Sequence, residues 1–550
     1  MSAATIAGLL RARAEQAPDA PGYCFRADGE WTSWSWSDYW EHAAGAGAGL
    51  REEGVRPGDR VLMFVADVQP AVAAVFGAWA IGAVPIQVGA PYRLTDAEAF
   101  VRELGRTAER LSARALVVSE AVAAAVDGGP AAIPILSAEA LARDGGSVEP
   151  PGADAAHRPG LIQLTSGSTG HPRGVVVSHS RLLGHLAAIS EALPLAGEQA
   201  REVSWLPLNH DMGLIGGLLF PLFNGFPLYH LSPLAFRADP FAWLQTLAEA
   251  RGTCSPAPPS AYALALRLAR RAVEAGLDLR PWACAMIGAE AIPARLLREF
   301  AGSFAACGFR PEAFFPVYGL AEATVAVTFP ELLGPTRFDR VDRPLLEREA
   351  RAVPCDAGPE ALELVGVGRP IPGTEVRIVA GGADAASREI GEIWVRSDTL
   401  MDGYADDPAA TAAVMEGPWL KTGDLGYRAD GELFVTGREK DLIIKAGHNL
   451  LPEAIEDIAG AVDGVRAGCV VAVGVPSPQR ATELVCVVAE TKLDAGEHAQ
   501  LAARVRDALR LRGIAVDRVL LVPAGELPKT TSGKLRRREV ARGLASAGPP

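Results

Sequence analysis

The sequence predicts an α/β protein: a large amino-terminal domain of α/β subdomains plus a β-rich subdomain, then a small α+β carboxy-terminal domain. Three observations predict it. Helix-like runs alternate with short apolar runs over the first 150 residues, as βα units feeding a largely parallel sheet do. Apolar and polar residues alternate at 376–379 and 392–395, the period of antiparallel strands. The chain has 550 residues, several times the roughly 150 of a typical domain.

Taken in order, residues 39–52 form a helix rich in small residues, and 60–65 a strand. The apolar run 71–84, between Pro70 and Pro85, is too short for a bilayer and predicts a buried helix. Strands are expected at 116–119 and 132–136, and a Pro, Gly and Asp cluster at 149–159 makes a loop before the strand 161–165. Helices are expected at 241–251 and 261–275, and a charged loop at 330–365. Beyond Arg438, strands at 470–475 and 483–489 and a helix at 499–511 make the small domain. The expected division is 1–438 and 439–550.

Composition removes several classes. The chain carries 53 Lys and Arg against 66 Asp and Glu, a net charge of −13 that disfavours non-specific binding to nucleic acid or anionic membrane. With 58 glycines and 41 prolines it is neither collagen nor a low-complexity linker. Seven scattered cysteines form no CxxC pair, which points to a reducing cytoplasm. The amino terminus shows no apolar stretch leading to a cleavage site, so no secretion signal is expected.

The most informative segment is Thr165-Ser166-Gly167-Ser168-Thr169-Gly170-His171-Pro172-Arg173-Gly174, directly after a strand. Its glycines let backbone approach a phosphate and its hydroxyls and amides donate hydrogen bonds, so it reads as a polyphosphate cradle or as a solvated turn. The P-loop spacing is absent.

Four further signatures follow: Tyr318-Gly319-Leu320-Ala321-Glu322, Thr422-Gly423-Asp424, Gly437-Arg438-Glu439-Lys440-Asp441 and Pro528-Lys529-Thr530-Thr531-Ser532-Gly533-Lys534. The ordered set resembles the adenylate-forming superfamily of acyl-CoA synthetases, adenylation domains and luciferases, from about residue 5 to 541. Within it the chain looks most like the fatty-acyl-AMP ligases. Trp205-Leu206-Pro207 with His210-Asp211-Met212-Gly213 and Leu231-Ser232-Pro233, Gly319 to Thr324, and an insertion-like stretch at 341–368 carry that resemblance.

The resemblance implies attack of a substrate carboxylate on the α-phosphate of ATP, with Mg²⁺, then acyl transfer to an acyl carrier protein; CoA is the alternative acceptor. Residue by residue, it implies that Lys534 bridges carboxylate and α-phosphate, that Glu322 holds Mg²⁺, that Asp424 accepts the ribose hydroxyls, and that Arg438 supports the same ribose or the phosphate. Thr165, Ser166, Gly167, Ser168, Thr169, Gly170 and Arg173 would meet the phosphates. Gly288, Ala289 and Glu290 would line the adenine site, Tyr318 and Gly319 would also bind the nucleotide, His210 would sit beside the carboxylate, and Lys440 would be the hinge of a mobile small domain. The insertion would restrain the rotation that CoA transfer needs.

Four departures stand out, one of them His171, where the family often has a polar or acidic residue. Arg173 replaces the usual lysine, and a guanidinium still clamps phosphate. Ala257-Pro258-Pro259-Ser260-Ala261-Tyr262 lacks the Asn-Phe pair common in the family, which reshapes the acid pocket. His448-Asn449-Leu450-Leu451-Pro452 replaces Arg-Asn-x-Tyr-Pro, in the region of the acceptor step. The cluster Arg536 to Arg538 is either a landing patch for an acidic carrier or a solvated tail. A binding protein that keeps the nucleotide pocket without catalysis is the rival from another class.

Overall fold

A computed structural model describes residues 3–27, 29–89, 97–126, 133–142, 146–165, 172–195, 199–445, 448–476, 482–530 and 534–546. Its first sheet is parallel, with described strands in the order Val84–Gln87, Arg60–Phe64, Ala113–Val118 and Ile135–Ser137. The helix Val68–Ala80 is buried from Ala71 to Ala80, which bears out the core reading of that apolar run. Glycines explain how closely it packs: a Cβ on Gly47 of the helix Trp36–Glu52 would stand 2.8 Å from the Gly77 carbonyl oxygen.

The second sheet holds seven described strands: Phe314–Pro316, Cys284–Ile287, Cys254–Ala257, Glu202–Ser204, Leu228–His230, Pro21–Ala27 and Glu30–Ser35. All pairs are parallel except the last. One face packs against an apolar cluster around Trp243, Tyr262, Trp282 and Phe300. The other meets a π-helix, Met212–Leu219. Functional residues gather where these parallel strands end, the usual crevice of α/β sheets.

The β-rich part pairs Thr374–Ala380, Gly391–Ser397, Trp419–Ala429 and Glu432–Arg438 antiparallel. The strand Pro159–Thr165 is also antiparallel, to Arg173–Ser178, which pairs on its other edge with Gly403–Tyr404. At the carboxy-terminal end, Val465–Pro476, Glu483–Thr491 and Arg518–Pro523 form a separate sheet under the helices Pro452–Gly460 and His498–Leu511. Its own core includes Ile455, Val487, Val505 and Leu509. Among the described residues no helix is long and apolar enough to cross a membrane.

Two expectations change. The stretch 330–365 is not simply a loop: it folds as Phe338–Asp342, the helix Arg343–Glu349 and Ala361–Val365, with the two strands antiparallel. Its charged residues masked the pattern, because Arg343 and Glu347 are buried as a pair and leave Val341 and Leu346 to make the core. The single helix expected at 261–275 is two, Pro259–Leu266 and Ala269–Glu274. No glycine or proline marks the break, so local sequence gives no sign of it.

Candidate active site

The hairpin Trp419–Ala429 and Glu432–Arg438 sets Asp424 directly opposite Arg438. Arg438 donates from Nε to Asp424 Oδ1 at 2.8 Å, and the Tyr318 hydroxyl donates to Oδ2 at 2.8 Å. Asp424 is 5% exposed, so both donors meet a carboxylate largely removed from water. The Asp424 charge raises Arg438 above its ordinary pKa, while burial first and Asp424 second push the Tyr318 phenol well up.

Glu322 lies on the short turn Ala321–Ala323, and Thr324 after it is left-handed at φ 68°. Three hydrogen bonds tie the turn to the segment 399–404. Glu322 accepts at its carbonyl from Met401 N (2.9 Å) and at Oε1 from the Tyr404 hydroxyl (2.8 Å), and Thr324 Oγ1 donates to the Thr399 carbonyl. His185 braces it from beneath: Nε2 accepts from Ala326 N at 3.1 Å and Nδ1 meets Thr399 Oγ1 at 2.9 Å. Burial lowers His185 to about 3, so it stays neutral as an acceptor must. A side chain at Gly319 is impossible, since its Cβ would stand 1.7 Å from the Val325 oxygen. The Arg173 guanidinium lies 5.2 Å from the Tyr404 ring centroid, which links the far end of the Ser/Thr/Gly segment to Glu322.

The third wall begins at the π-helix. His210 Nδ1 is 2.8 Å from Asp211 Oδ1, which also accepts from Met212 N at 2.7 Å. Burial works against ionised Asp211, yet His210, Lys534 and the Met212 amide together hold it below its ordinary range. Lys534 reaches this wall from the carboxy-terminal domain; its amide donates to Thr530 Oγ1 at 3.1 Å and its carbonyl accepts from Thr530 N at 2.7 Å. Burial lowers its pKa, Asp211 and Glu290 oppose that, and Arg438 and Asp424 also act on it. Glu290 itself accepts from Ser260 N at 3.2 Å and Ser260 Oγ at 3.3 Å, after a left-handed Ala289 at φ 68°.

Thr165, Arg173, His210, Ala289, Glu290, Tyr318, Gly319, Glu322, Asp424, Arg438, Lys440 and Lys534 all line one cleft of about 2370 Å³. Gly288 stands behind it, where a Cβ would meet Val317 Cγ2 at 2.7 Å. Lys440 is exposed on the turn Glu439–Asp441. Ser166, Gly167, Ser168, Thr169 and Gly170, like His171, lie outside the described residues. Sequence reasoning missed Tyr404 and His185, whose partners are 82 and 141 residues away. The landing-patch reading of 536–538 is weakened at its centre, because Arg537 is turned inward onto Glu453, Glu456 and Asp441.

A lysine from the carboxy-terminal segment, a carboxylate paired with arginine and tyrosine, and a braced glutamate around one cleft define an adenylate-forming ligase. The chain belongs to the AMP-binding enzyme family, which matches residues 10–405. It is 32% identical over 580 residues to the long-chain-fatty-acid–AMP ligase FadD26 of Mycobacterium tuberculosis, covering 99% of this chain and 98% of that one. It is 35% identical over 398 residues to the medium-chain-fatty-acid–[acyl-carrier-protein] ligase JamA of Moorena producens, covering 68% of this chain and 66% of that one. A solved structure from work on the fatty acyl-adenylate ligases of E. coli and L. pneumophila superposes with a TM-score of 0.90 at 30% identity, over 100% of this chain and 99% of that one.

Proposed function

We propose that the protein activates a fatty or related carboxylic acid with ATP and then hands the acyl group to the phosphopantetheine thiol of a carrier protein. The observation that carries this reading is Lys534, delivered by the carboxy-terminal domain among Asp211, Glu290, Asp424 and Arg438. An ammonium there can stabilise charge that builds where carboxylate meets phosphate. In the first step a carboxylate oxygen bonds to the α-phosphorus, and the bond to the bridging oxygen breaks, so pyrophosphate leaves with the electron pair. In the second, the thiol sulfur attacks the acyl carbonyl, its proton is lost, and AMP departs.

Each residue then has a task. Asp424, oriented by Tyr318 and Arg438, accepts the ribose hydroxyls through lone pairs its two donors leave free. Thr165 to Gly170 with Arg173 hold the phosphates, Gly288 to Glu290 and Gly319 border the base, and His210 orients the acid. Among the described residues no group of three or more His, Cys, Asp or Glu side chains is set to hold a metal. Glu322 fits Mg²⁺ nonetheless, since that ion takes one or two carboxylates with substrate phosphates rather than a protein cage. When bound, Mg²⁺ supplies charge neutralisation at phosphate oxygens.

The domains divide in this reading at 438 and 439, with Lys440 as the hinge. Support for a carrier over CoA comes from the segment 341–368. Arg343 donates to Glu347 at 2.7 Å and to the Arg512 carbonyl, and Leu346 packs with Leu451 and Ala454, so the insertion grips the small domain. The name of one relative, the medium-chain-fatty-acid–[acyl-carrier-protein] ligase JamA, points the same way. The seven cysteines are unpaired, which supports a reducing, cytoplasmic setting.

The test is pyrophosphate release across short, medium, long and aromatic acids, with mass analysis after adding CoA or a phosphopantetheinylated carrier. Acyl-AMP that persists with CoA and is consumed by carrier supports the reading. Acyl-CoA formed at comparable turnover makes the protein a CoA ligase.

A further inference from the structure

The cleft does not end at His210 and Lys534. It runs on to the sheet beside the π-helix, where Gly216 and Phe220 share its lining with Glu202, Cys254 and Met286. Strand alternation sets the geometry. Val203 and Ala257 belong to the core on the other side of the sheet, so Glu202 and Cys254 point toward the π-helix. That helix is close: a Cβ on Gly217 would lie 2.7 Å from Ser204 Oγ on the Glu202 face.

Cys254 is registered with Glu202 on one side and Cys284 on the other, at the entry ends of three parallel strands. The five steps from Cys284 to Ala289, at about 3.3 Å each, set the level of Glu202 about 16 Å along the strand direction from the turn that holds Ala289 and Glu290. That is the far part of the cavity as seen from the carboxylate. An acid group is an unexpected lining for a fatty chain.

Glu202 is 1% exposed, and its Oε2 has no hydrogen-bond partner among the described residues. The Cys254 thiol is its other polar neighbour. A second polar group of this region, His230, is by contrast satisfied by the Tyr23 hydroxyl at 3.1 Å. A buried polar atom without a partner is costly and rare, and an alkyl chain lying beside Oε2 would leave it so. We propose that Glu202 is a specificity-determining residue, selecting acids that carry a hydroxyl group far along the chain. Burial pushes Glu202 up to about 8, so at neutral pH it is an uncharged acid that can both donate to and accept from a hydroxyl. A hydroxyl is therefore the better match than an ammonium or a second carboxylate.

This inference rests on the acid-activating reading above, and the experiment separates the two. Pyrophosphate release is measured with octanoic to dodecanoic acids, with their terminal and penultimate hydroxy derivatives, and with the terminal amino acids of the same lengths. The wild type is expected to use at least one hydroxy acid with a kcat/KM at least tenfold above that of its unsubstituted parent. Glu202→Leu is expected to lose that preference through a raised KM for the hydroxy acid while keeping kcat for the parent. Equal or better use of the plain acids, or best use of the amino acids, overturns the proposal whether or not the Leu variant folds. So does a folded Glu202→Leu protein that keeps the preference. No release with any acid overturns the proposed function itself.

Discussion

Arg438 and Asp424 face each other across two registered antiparallel strands, with Arg438 Nε 2.8 Å from Asp424 Oδ1. The hairpin fixes one donor to the carboxylate, and Tyr318, 106 residues earlier, supplies the other. Asp424 is thereby oriented before any ligand arrives. Preorganisation of this kind lowers the cost of binding.

Asp424→Asn is expected to raise the KM for ATP by about ten- to a hundredfold, since hydrogen bonds to a charged group are worth about 1.5–3 kcal/mol. Thermal unfolding should move little. Steady-state pyrophosphate release against ATP concentration checks this, and an unchanged KM removes Asp424 from the nucleotide site.

Lys534→Ala is expected to cut acyl-adenylate formation by about a hundredfold or more, the loss typical when one preorganised charge-stabilising donor is removed. ATP affinity, measured by calorimetry, should change less than about threefold, because the lysine acts where charge develops rather than where nucleotide is held. Adenylation at the wild-type rate would remove the catalytic assignment.

Arg343→Met combined with Glu347→Leu is expected to raise transfer to CoA severalfold with adenylation unchanged. Deleting 341–368 outright is a poorer test, because Val341 and Leu346 sit in a core with Tyr427 and Phe434. Removing both members of a buried ion pair avoids the uncompensated charge that a single substitution leaves. Unaltered CoA transfer in the folded double variant counts against the insertion as a restraint.

Arg537→Ala is expected to destabilise the carboxy-terminal domain by about 3–5 kcal/mol, because three carboxylates lose their common partner. The effect should appear in chemical unfolding rather than in the KM for a carrier. A stable variant with a weakened carrier KM would restore the landing-patch reading.

Glu202 makes stability depend on pH. Its folded pKa of about 8 exceeds the ordinary 4.5, so the folded chain keeps a proton that the unfolded chain releases. The stability of its neutral form is full below 4.5 and is lost as pH rises through about 8. The slope within that window approaches 1.4 kcal/mol per pH unit. Glu202→Gln should flatten the unfolding free energy between those limits, measured in denaturant at pH 5, 6, 7 and 8.

Much of this site was legible in the sequence. Asp424 and Arg438 sit in short motifs, and their meeting needs only one hairpin. Lys534 was legible as a residue type in a Ser-Gly-Lys setting, though not its approach to Asp211. Tyr404 carried no comparable mark: it lies on a two-residue strand and becomes significant because that strand pairs with Arg173–Ser178. The helix Arg343–Glu349 read as loop because its charges suggested solvent, whereas tertiary packing buries two of them against each other.

By itself the sequence determined the α/β class, the alternation of strands and helices, the glycines that permit close turns and the residue types available for phosphate, ribose and carboxylate. These depend on local dihedral preference and on the spacing of apolar residues along a few turns. Only the tertiary structure decided that Lys534 meets Asp211, that Tyr404 meets Glu322, and that Glu202 is buried with an oxygen unpartnered among the described residues at the far end of a cleft. Those relations join residues far apart in the chain. The free energy that makes them comes from burying whole faces of sheet and helix, a quantity no single stretch of sequence contains.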